Sequence, residues 1–360
     1  MNEHNLLPKL YTRQMARKSN LLVFNFEMDQ SSRLLSHQHQ AVCAIAEKFE
    51  TVTVITGHVG DIKIPSNVRT ISTNWVSGRK VQSILRVLRV ATPIIIKGKF
   101  DSVFFHMTDL QCALLSPFIK LRGRPQFLWY AHTHKSNYLY FASKWVDAVI
   151  TSTKGSCPIK GGKVIPIGQA IDQQIFTLLN FSDLDFSRLI HIGRFDKSKK
   201  IDYLIENAIY IRREYPEVQL TIVGSPGNFE SQTWAKDLIH DSNRGVQEGW
   251  LHFKASIQRS EFPAEMSQNG VFFHSYIGSL DKTLVESTML GVPVVTVNVE
   301  YLSIFGTWSG KTQPNLVEEY KSLRTLNSQS LKAEITRRRE IALKHHSLDN
   351  WISALASLLQ

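Results

Sequence analysis

The feature that most constrains the fold is an alternation of short apolar runs with helix-patterned segments, which runs once, breaks, and starts again. Residues 21–26 are an apolar run followed by a polar loop to Ser32, a helical pattern over residues 36–49 and a second apolar run at 52–56. Strand, loop, helix, strand is the opening of a doubly wound α/β domain. Further strands are expected within residues 65–77, at 101–105 ending on His106, at 127–131 ending on His132, and at 146–151 and 163–167. Residues 180–187 are polar and interrupt the pattern. Strands at 189–192, 219–223, 271–274 and 294–297 then alternate with helical segments at 201–213, at 231–241 and from Thr283 onward. The tail from Lys311 is helical in character, with Leu348, Trp351, Ile352, Leu355 and Leu358 on one apolar face. The expected architecture is α/β, two doubly wound Rossmann-like domains facing a central cleft. Residues 1–175 form the first, 176–345 the second, and a helix over 346–360 packs back toward the first. The opening residues 1–20, polar and basic, read as a loosely held arm or short helix.

Ligands in open α/β sheets bind at the carboxyl ends of the strands, so the loops there carry the chemistry. The loop from Asn25 to Ser32 holds no glycine and is no dinucleotide fingerprint. In the second half, a polar loop at residues 278–282 runs into a helix opening at Thr283, which stops at Gly291-Val292-Pro293. A helix start gathers free backbone N–H groups and partial positive charge, a seat for a diphosphate. Glu286, one turn in, is placed to accept hydrogen bonds from hydroxyls attached to it. Thr283-Leu284-Val285-Glu286 is equally a capping box that satisfies only its own helix. Between a strand and a helix stand Gly193-Arg194 and, further along the same loop, Lys199, which converge on that helix start; Gly224 follows the next strand. Fixed cations beside a helix N-terminus stabilise the charge that develops on a departing diphosphate. His132-Thr133-His134 has no carboxylate or cysteine at ligand spacing, so no metal is expected.

The formal charge is +11, and it is unevenly placed: residues 1–170 hold 22 Lys and Arg against 9 Asp and Glu, a balance of +13. The first half therefore faces something anionic, a membrane surface or nucleic acid. No nucleic-acid motif accompanies the charge. Residues 79–89 place Val81, Ile84, Leu85 and Leu88 at helical spacing among Arg79, Lys80, Arg86 and Arg89, a pattern shared by interfacial helices and by helices packed on their own sheet. No apolar run approaches the ~20 residues of a membrane span. The opening residues lack a signal-peptide pattern, and the three scattered cysteines suit the reducing cytoplasm.

Taken in order, Gly193-Arg194 with Lys199, Val223-Gly224, the stretch from Asp281 to Glu286 and Gly291-Val292-Pro293-Val294-Val295 resemble the retaining glycosyltransferases of family four, glycosyl transferases group 1, which have the two-domain GT-B fold. The match is clearest over residues 188–300. The resemblance implies that Arg194 and Lys199 hold the donor diphosphate, that backbone amides of Lys282, Thr283 and Leu284 meet its phosphates, and that Glu286 holds the nucleotide ribose. Gly193 and Gly224 line the same donor site, and His132, after Tyr130-Ala131, reaches the donor sugar from the first domain. Catalysis is assigned to His132, Arg194, Lys199 and Asp281, with no metal and no cofactor beyond the donor. One departure is plain: the first Glu of the family's Glu-x7-Glu motif falls on Gly278, leaving Asp281 as the nearest acid to approach the sugar. The glycine-rich acceptor loop is replaced by residues 27–32.

The implied activity is transfer of a hexose from a nucleoside diphosphate sugar to a glycan or polyprenyl-linked acceptor, with retention, in cell-surface polysaccharide synthesis. The expected place is the cytoplasm, peripheral on the anionic inner face of the membrane, with no nucleic-acid partner. Two other readings stay open: a nucleotide-sugar epimerase on the same scaffold, and a non-catalytic nucleotide-sugar-binding relative, which Gly278 favours.

Overall fold

The structure, a computed structural model, describes residues 19–32, 35–180, 184–227 and 229–360. The arm expected at the N-terminus lies, but for its last two residues, outside them. The first domain is a parallel sheet of seven strands: β1 (Asn20–Met28), β2 (Thr51–Val59), β3 (Val68–Ser72), β4 (Ser102–His106), β5 (Gln126–Trp129), β6 (Ala148–Thr151) and β7 (Val164–Pro166), in the order β3-β2-β1-β4-β5-β6-β7. Four helices connect them: α1 (Ser36–Ala46), α2 (Lys80–Lys97), α3 (Asp109–Leu121) and α4 (Asn137–Trp145). The second domain is a five-stranded parallel sheet of β8 (Arg188–Ile192), β9 (Gln219–Val223), β10 (Leu251–Lys254), β11 (Val271–His274) and β12 (Val294–Thr296), in the order β10-β9-β8-β11-β12. Around it stand α5 (Ile201–Arg212), α6 (Phe229–Asp241), α7 (Asn243–Gln247), α8 (Phe262–Met266), α9 (Lys282–Met289), α10 (Val299–Phe305), α11 (Leu316–Thr325) and α12 (Ser328–His346).

In each sheet the order reverses beside the first strand, which opens a crevice at the carboxyl ends. Strands buried on both faces read as continuous apolar runs, which is why residues 21–24 and 271–273 are so plain in the sequence. The last helix, α13 (Leu348–Leu359), returns to the first domain: Trp351, Ile352, Leu355 and Leu359 pack with α1 residues Val42 and Ile45 in one core. Leu358, placed on that apolar face by its spacing, is only partly buried at its edge. Ile171 bridges to Ser347 where the chain crosses out and back between the domains.

Two elements differ from expectation. The edge strand β10 offers only Leu251 and Phe253 as apolar side chains, too few to show as a run. In α2 the face on the sheet is Ser83, Val87, Ala91 and Ile95. The stripe expected to mark the packed or interfacial side therefore straddles the boundary, with Ile84 and Leu88 half-buried and Val81 and Leu85 exposed at 74% and 61%.

Candidate functional site

The second domain's strand ends converge on a cleft of about 430 Å³, lined among others by Gly193, Arg194, Lys199, Gly224, Asp281 and Thr283. All six are expected there from the sequence. At the loop after β8, Asp196 accepts from the Ser198 amide at 2.8 Å and a short 3-10 turn over Lys197–Lys199 follows. That turn sends the Lys199 side chain inward, over the Tyr276 ring at 4.1 Å and onto the Asp281 carboxylate. Gly224 is dictated by closeness: a Cβ there would lie 1.9 Å from the Gly193 carbonyl oxygen. Only a bare backbone lets the two loops share the cleft floor.

The helix at the heart of the site begins at Lys282, one residue before Thr283, with Asp281 in the N-cap position. The capping box does not form. Asp281 makes no cap bond; its carboxylate turns to Lys199 and to His274 Nε2 at 3.5 Å. Burial pushes this carboxyl up, but Lys199 and His274 outweigh it and hold it well below the usual carboxylate range. The first-turn amides are thus left without a side-chain cap, and the buried Thr283 hydroxyl has no hydrogen-bond partner. Thr283 lines the open cleft, a setting that suits a ligand with several acceptor oxygens.

Glu286, 2% exposed, does not reach back to the helix start either; it is ion-paired with Arg259, which stacks at 5.4 Å on the Phe176 ring. Burial raises the Glu286 carboxyl, against the pull of Arg259 and Lys282. Burial and the neighbouring Arg259 push Lys282 down to about 7. Leu284, fully buried, packs in the core beneath the helix and does not line the cleft. His132, on the loop after β5 in the first domain, accepts from the His134 amide through Nδ1 at 2.9 Å. Burial lowers its pKa, helped by His134 and by the charges of Arg194 and Lys199 across the cleft, so it is neutral at pH 7. His106 is structural: it is buried among Phe104, Trp129 and Trp351, and burial lowers its pKa to about 3.

Several neighbours of the site carry no signal in the sequence. Asn298, the N-cap of α10, donates through Nδ2 to the carbonyls of Tyr276 (2.9 Å), Gly278 (3.3 Å) and Ser279 (3.1 Å), fixing the loop before α9. Ser156 accepts from the Leu280 amide at 2.9 Å and Gln169 donates to the Leu280 carbonyl, pinning the same loop from the other side of the domain crossing. Beside Gly278 the Tyr276 hydroxyl stands 2.0 Å from where a Cβ would be, so the Tyr276 ring lies where a side chain would start. Arg259 follows β10, and the strand-end rule finds it only once that strand is recognised. Among the described residues, no group of three or more His, Cys, Asp or Glu side chains is placed to hold a metal ion.

Residues 187–318 match the model of the family Glycosyl transferases group 1, a span that contains Gly193, Arg194, Lys199, Gly224, Asp281, Lys282, Thr283 and Glu286. No curated protein matches the chain in sequence. Solved structures share the fold at low identity. Anabaena Alr3699/HepE in complex with UDP-glucose superposes with a TM-score of 0.70 at 16% identity, over 95% of this chain and 99% of that one. Sucrose-phosphate synthase from Thermosynechococcus elongatus gives 0.73 at 14% identity over 95% and 98%, and a glycosyltransferase from Rickettsia africae 0.70 at 11% over 96% and 98%. The chain has the GT-B fold, and its residues 187–318 carry a glycosyl transferases group 1 domain, a domain of transferase enzymes.

Proposed function

We propose that the protein transfers a hexose from a nucleoside diphosphate sugar to a glycan or polyprenyl-linked acceptor, with retention at the anomeric carbon, in cell-surface polysaccharide synthesis. It would work in the cytoplasm, against the inner face of the membrane. One observation carries the donor site: an α9 start whose own N-cap carboxylate is turned away onto Lys199, beside an unpartnered buried hydroxyl and Arg194 in one cleft. Arg194, Lys199 and the amides of Lys282, Thr283 and Leu284 hold the departing diphosphate. The transition state is oxocarbenium-like, so most of the catalytic help is positioning and charge stabilisation there. Glu286, released from part of its pairing with Arg259, anchors the ribose, and neutral His132 offers a hydrogen bond to the sugar from the first domain. Asp281 approaches the sugar from the loop. UDP is the first diphosphate to try, because Anabaena Alr3699/HepE is in complex with UDP and with UDP-glucose. Gly278, with Tyr276 against it, favours a second reading in which the cleft binds a nucleotide-sugar without turnover.

The test is calorimetric titration with UDP, GDP and ADP without added metal, on the wild type and on Glu286→Ala. Micromolar binding of one diphosphate, weakened in the variant by about 1–3 kcal/mol as for a lost charged hydrogen bond, is expected. No binding of any of the three sinks the donor site. With the bound base in hand, release of that diphosphate from its sugar in the presence of acceptor separates the transferase from the non-catalytic reading.

A further inference from the structure

The three helices α2, α3 and α4 form one layer on one face of the first sheet. Val87, Ala91 and Ile95, Cys112, Leu115 and Ile119, and Leu139 and Ala142 share a core against β1, β4, β5 and β6. α1 and α13 cover the other face. The outer side of the three-helix layer is unusual in two ways at once. It leaves large apolar side chains in water: Val81 and Leu85 on α2, Phe118 and Leu121 on α3, Phe141 and Trp145 on α4. It is also almost free of acids. Along α2, α3 and α4 stand Lys80, Arg86, Arg89, Lys97, Lys120 and Lys144 against Asp109 as the one acid, with Asp147 just beyond α4 paired to Lys120 at 2.7 Å. Scattered single apolar side chains are ordinary, but a contiguous helical layer that joins them to a one-signed charge marks an interaction surface.

We infer that this layer is the surface by which the protein lies on an anionic lipid bilayer, with the N-terminal ends of α2 and α4 nearest the reaction cleft. The inference rests on the proposal of a lipid-linked acceptor and adds where the bilayer is met. Two observations fix the geometry. α2 and α4 follow β3 and β5, so both begin at the carboxyl edge of the sheet, the edge that opens on the cleft. The two starts are tied together, the Lys80 ammonium donating to the Tyr138 hydroxyl at 2.6 Å and lying 4.5 Å over its ring. Exposed aliphatic and aromatic side chains sit at the headgroup boundary while flanking cations meet anionic headgroups. A nucleic acid would use the cations but leave Val81 and Leu85 in water, and so fits the layer less well.

Vesicle co-sedimentation of the whole protein tests this, with phosphatidylcholine vesicles and with vesicles containing about a quarter phosphatidylglycerol, a mixture that gives a negative surface potential. The wild type is expected to pellet with the anionic vesicles only and to be released by high salt. Val81→Asp/Leu85→Asp and, separately, Arg79→Glu/Lys80→Glu are expected to lower the partition coefficient about ten-fold or more. Ile209→Asp, at an exposed apolar site on α5, is expected to change nothing. All variants are expected to bind UDP with wild-type affinity in solution, which shows that they are folded. Wild-type pelleting that is equal on neutral and anionic vesicles, or equal loss in the Ile209 control, overturns the inference. So does binding confined to duplex DNA, or self-association abolished by the α2 variants without any vesicle binding. Retained UDP binding alongside failed vesicle binding removes this surface and leaves the donor site standing.

Discussion

Replacing Arg259 by Met leaves the carboxylate of Glu286 as a buried charge with its principal partner gone. Glu286 is 2% exposed and the Arg259 side chain 22%, so the pair is mostly out of water. Removing one member of a buried ion pair costs about 3–5 kcal/mol. Two features reduce that here. Lys282 remains beside the carboxylate, and Glu286, already raised by burial, can escape by taking up a proton at about 1.4 kcal/mol per pH unit between its pKa and the working pH. The net expectation is a loss of about 2–3 kcal/mol at pH 7. The sign with pH follows from the direction of the shift. Losing the guanidinium raises the folded-state pKa of Glu286 further above its unfolded value, so the folded protein holds the extra proton between the two values. The deficit is then small at or below the unfolded pKa and grows as pH rises through the folded one. Urea unfolding read as a midpoint shift at constant slope measures it. Adding Glu286→Gln to the variant should recover about half or more of the loss, because a neutral amide of the same shape needs no counter-charge. A single variant within about 0.5 kcal/mol of wild type, or a double variant as unstable as the single, refutes the pairing as a buried one.

Lys282, pushed down to about 7, is largely neutral in the free protein at slightly alkaline pH, and an incoming diphosphate favours its charged form. Diphosphate binding should therefore take up a proton, and affinity should fall as pH rises from about 7 to 9, by about ten-fold per unit at most. Calorimetry in buffers of different ionisation enthalpy reads the proton, and Lys282→Met should flatten the profile. Gly224→Ala forces a Cβ against the Gly193 carbonyl oxygen, where backbone rather than a flexible side chain must give way. It should cost about 1–3 kcal/mol of stability in urea unfolding and weaken diphosphate binding with it.

What could be read in advance tracks the number of residues that carry each signal. Doubly buried strands such as residues 271–274 and the break before Arg188 declare themselves because whole runs of side chains are constrained at once. Arg194, Lys199 and Thr283 were legible because a parallel sheet places the residues after its strands at one edge. Arg259 was not, because β10 has only two apolar side chains and no run to announce it. Asn298 was hidden for another reason: its three carbonyl partners lie 19 to 22 residues back, a pairing that only the packed chain creates. The α2 stripe, open between a packed and an interfacial face, is divided by the structure. Spacing groups Val81 with Leu85, but Ser83 and Ala91 are small enough to let the helix sit close to the sheet on their side, and the larger residues are turned outward.

The same competition decides the role of Asp281. Around α9's start stand four cations, Arg194, Lys199, Arg259 and Lys282, and two carboxylates, Asp281 and Glu286. In the free protein Asp281 takes the ammonium of Lys199, the group assigned to the diphosphate. A phosphate arriving at Lys199 must therefore share it with, or take it from, a carboxylate held strongly in its charged form. Asp281→Asn removes the competitor and the local negative charge while keeping the shape, so diphosphate affinity should rise, by about ten-fold if one charged hydrogen bond of about 1.5 kcal/mol is freed for the ligand. If Asp281 also meets the sugar, turnover in the same variant should fall although the leaving group is bound more tightly. Those opposite changes distinguish it from a residue that merely shapes the loop, whose loss would weaken both. Unchanged or weaker diphosphate binding in Asp281→Asn would show that the carboxylate positions Lys199 for the phosphate rather than occupying its place.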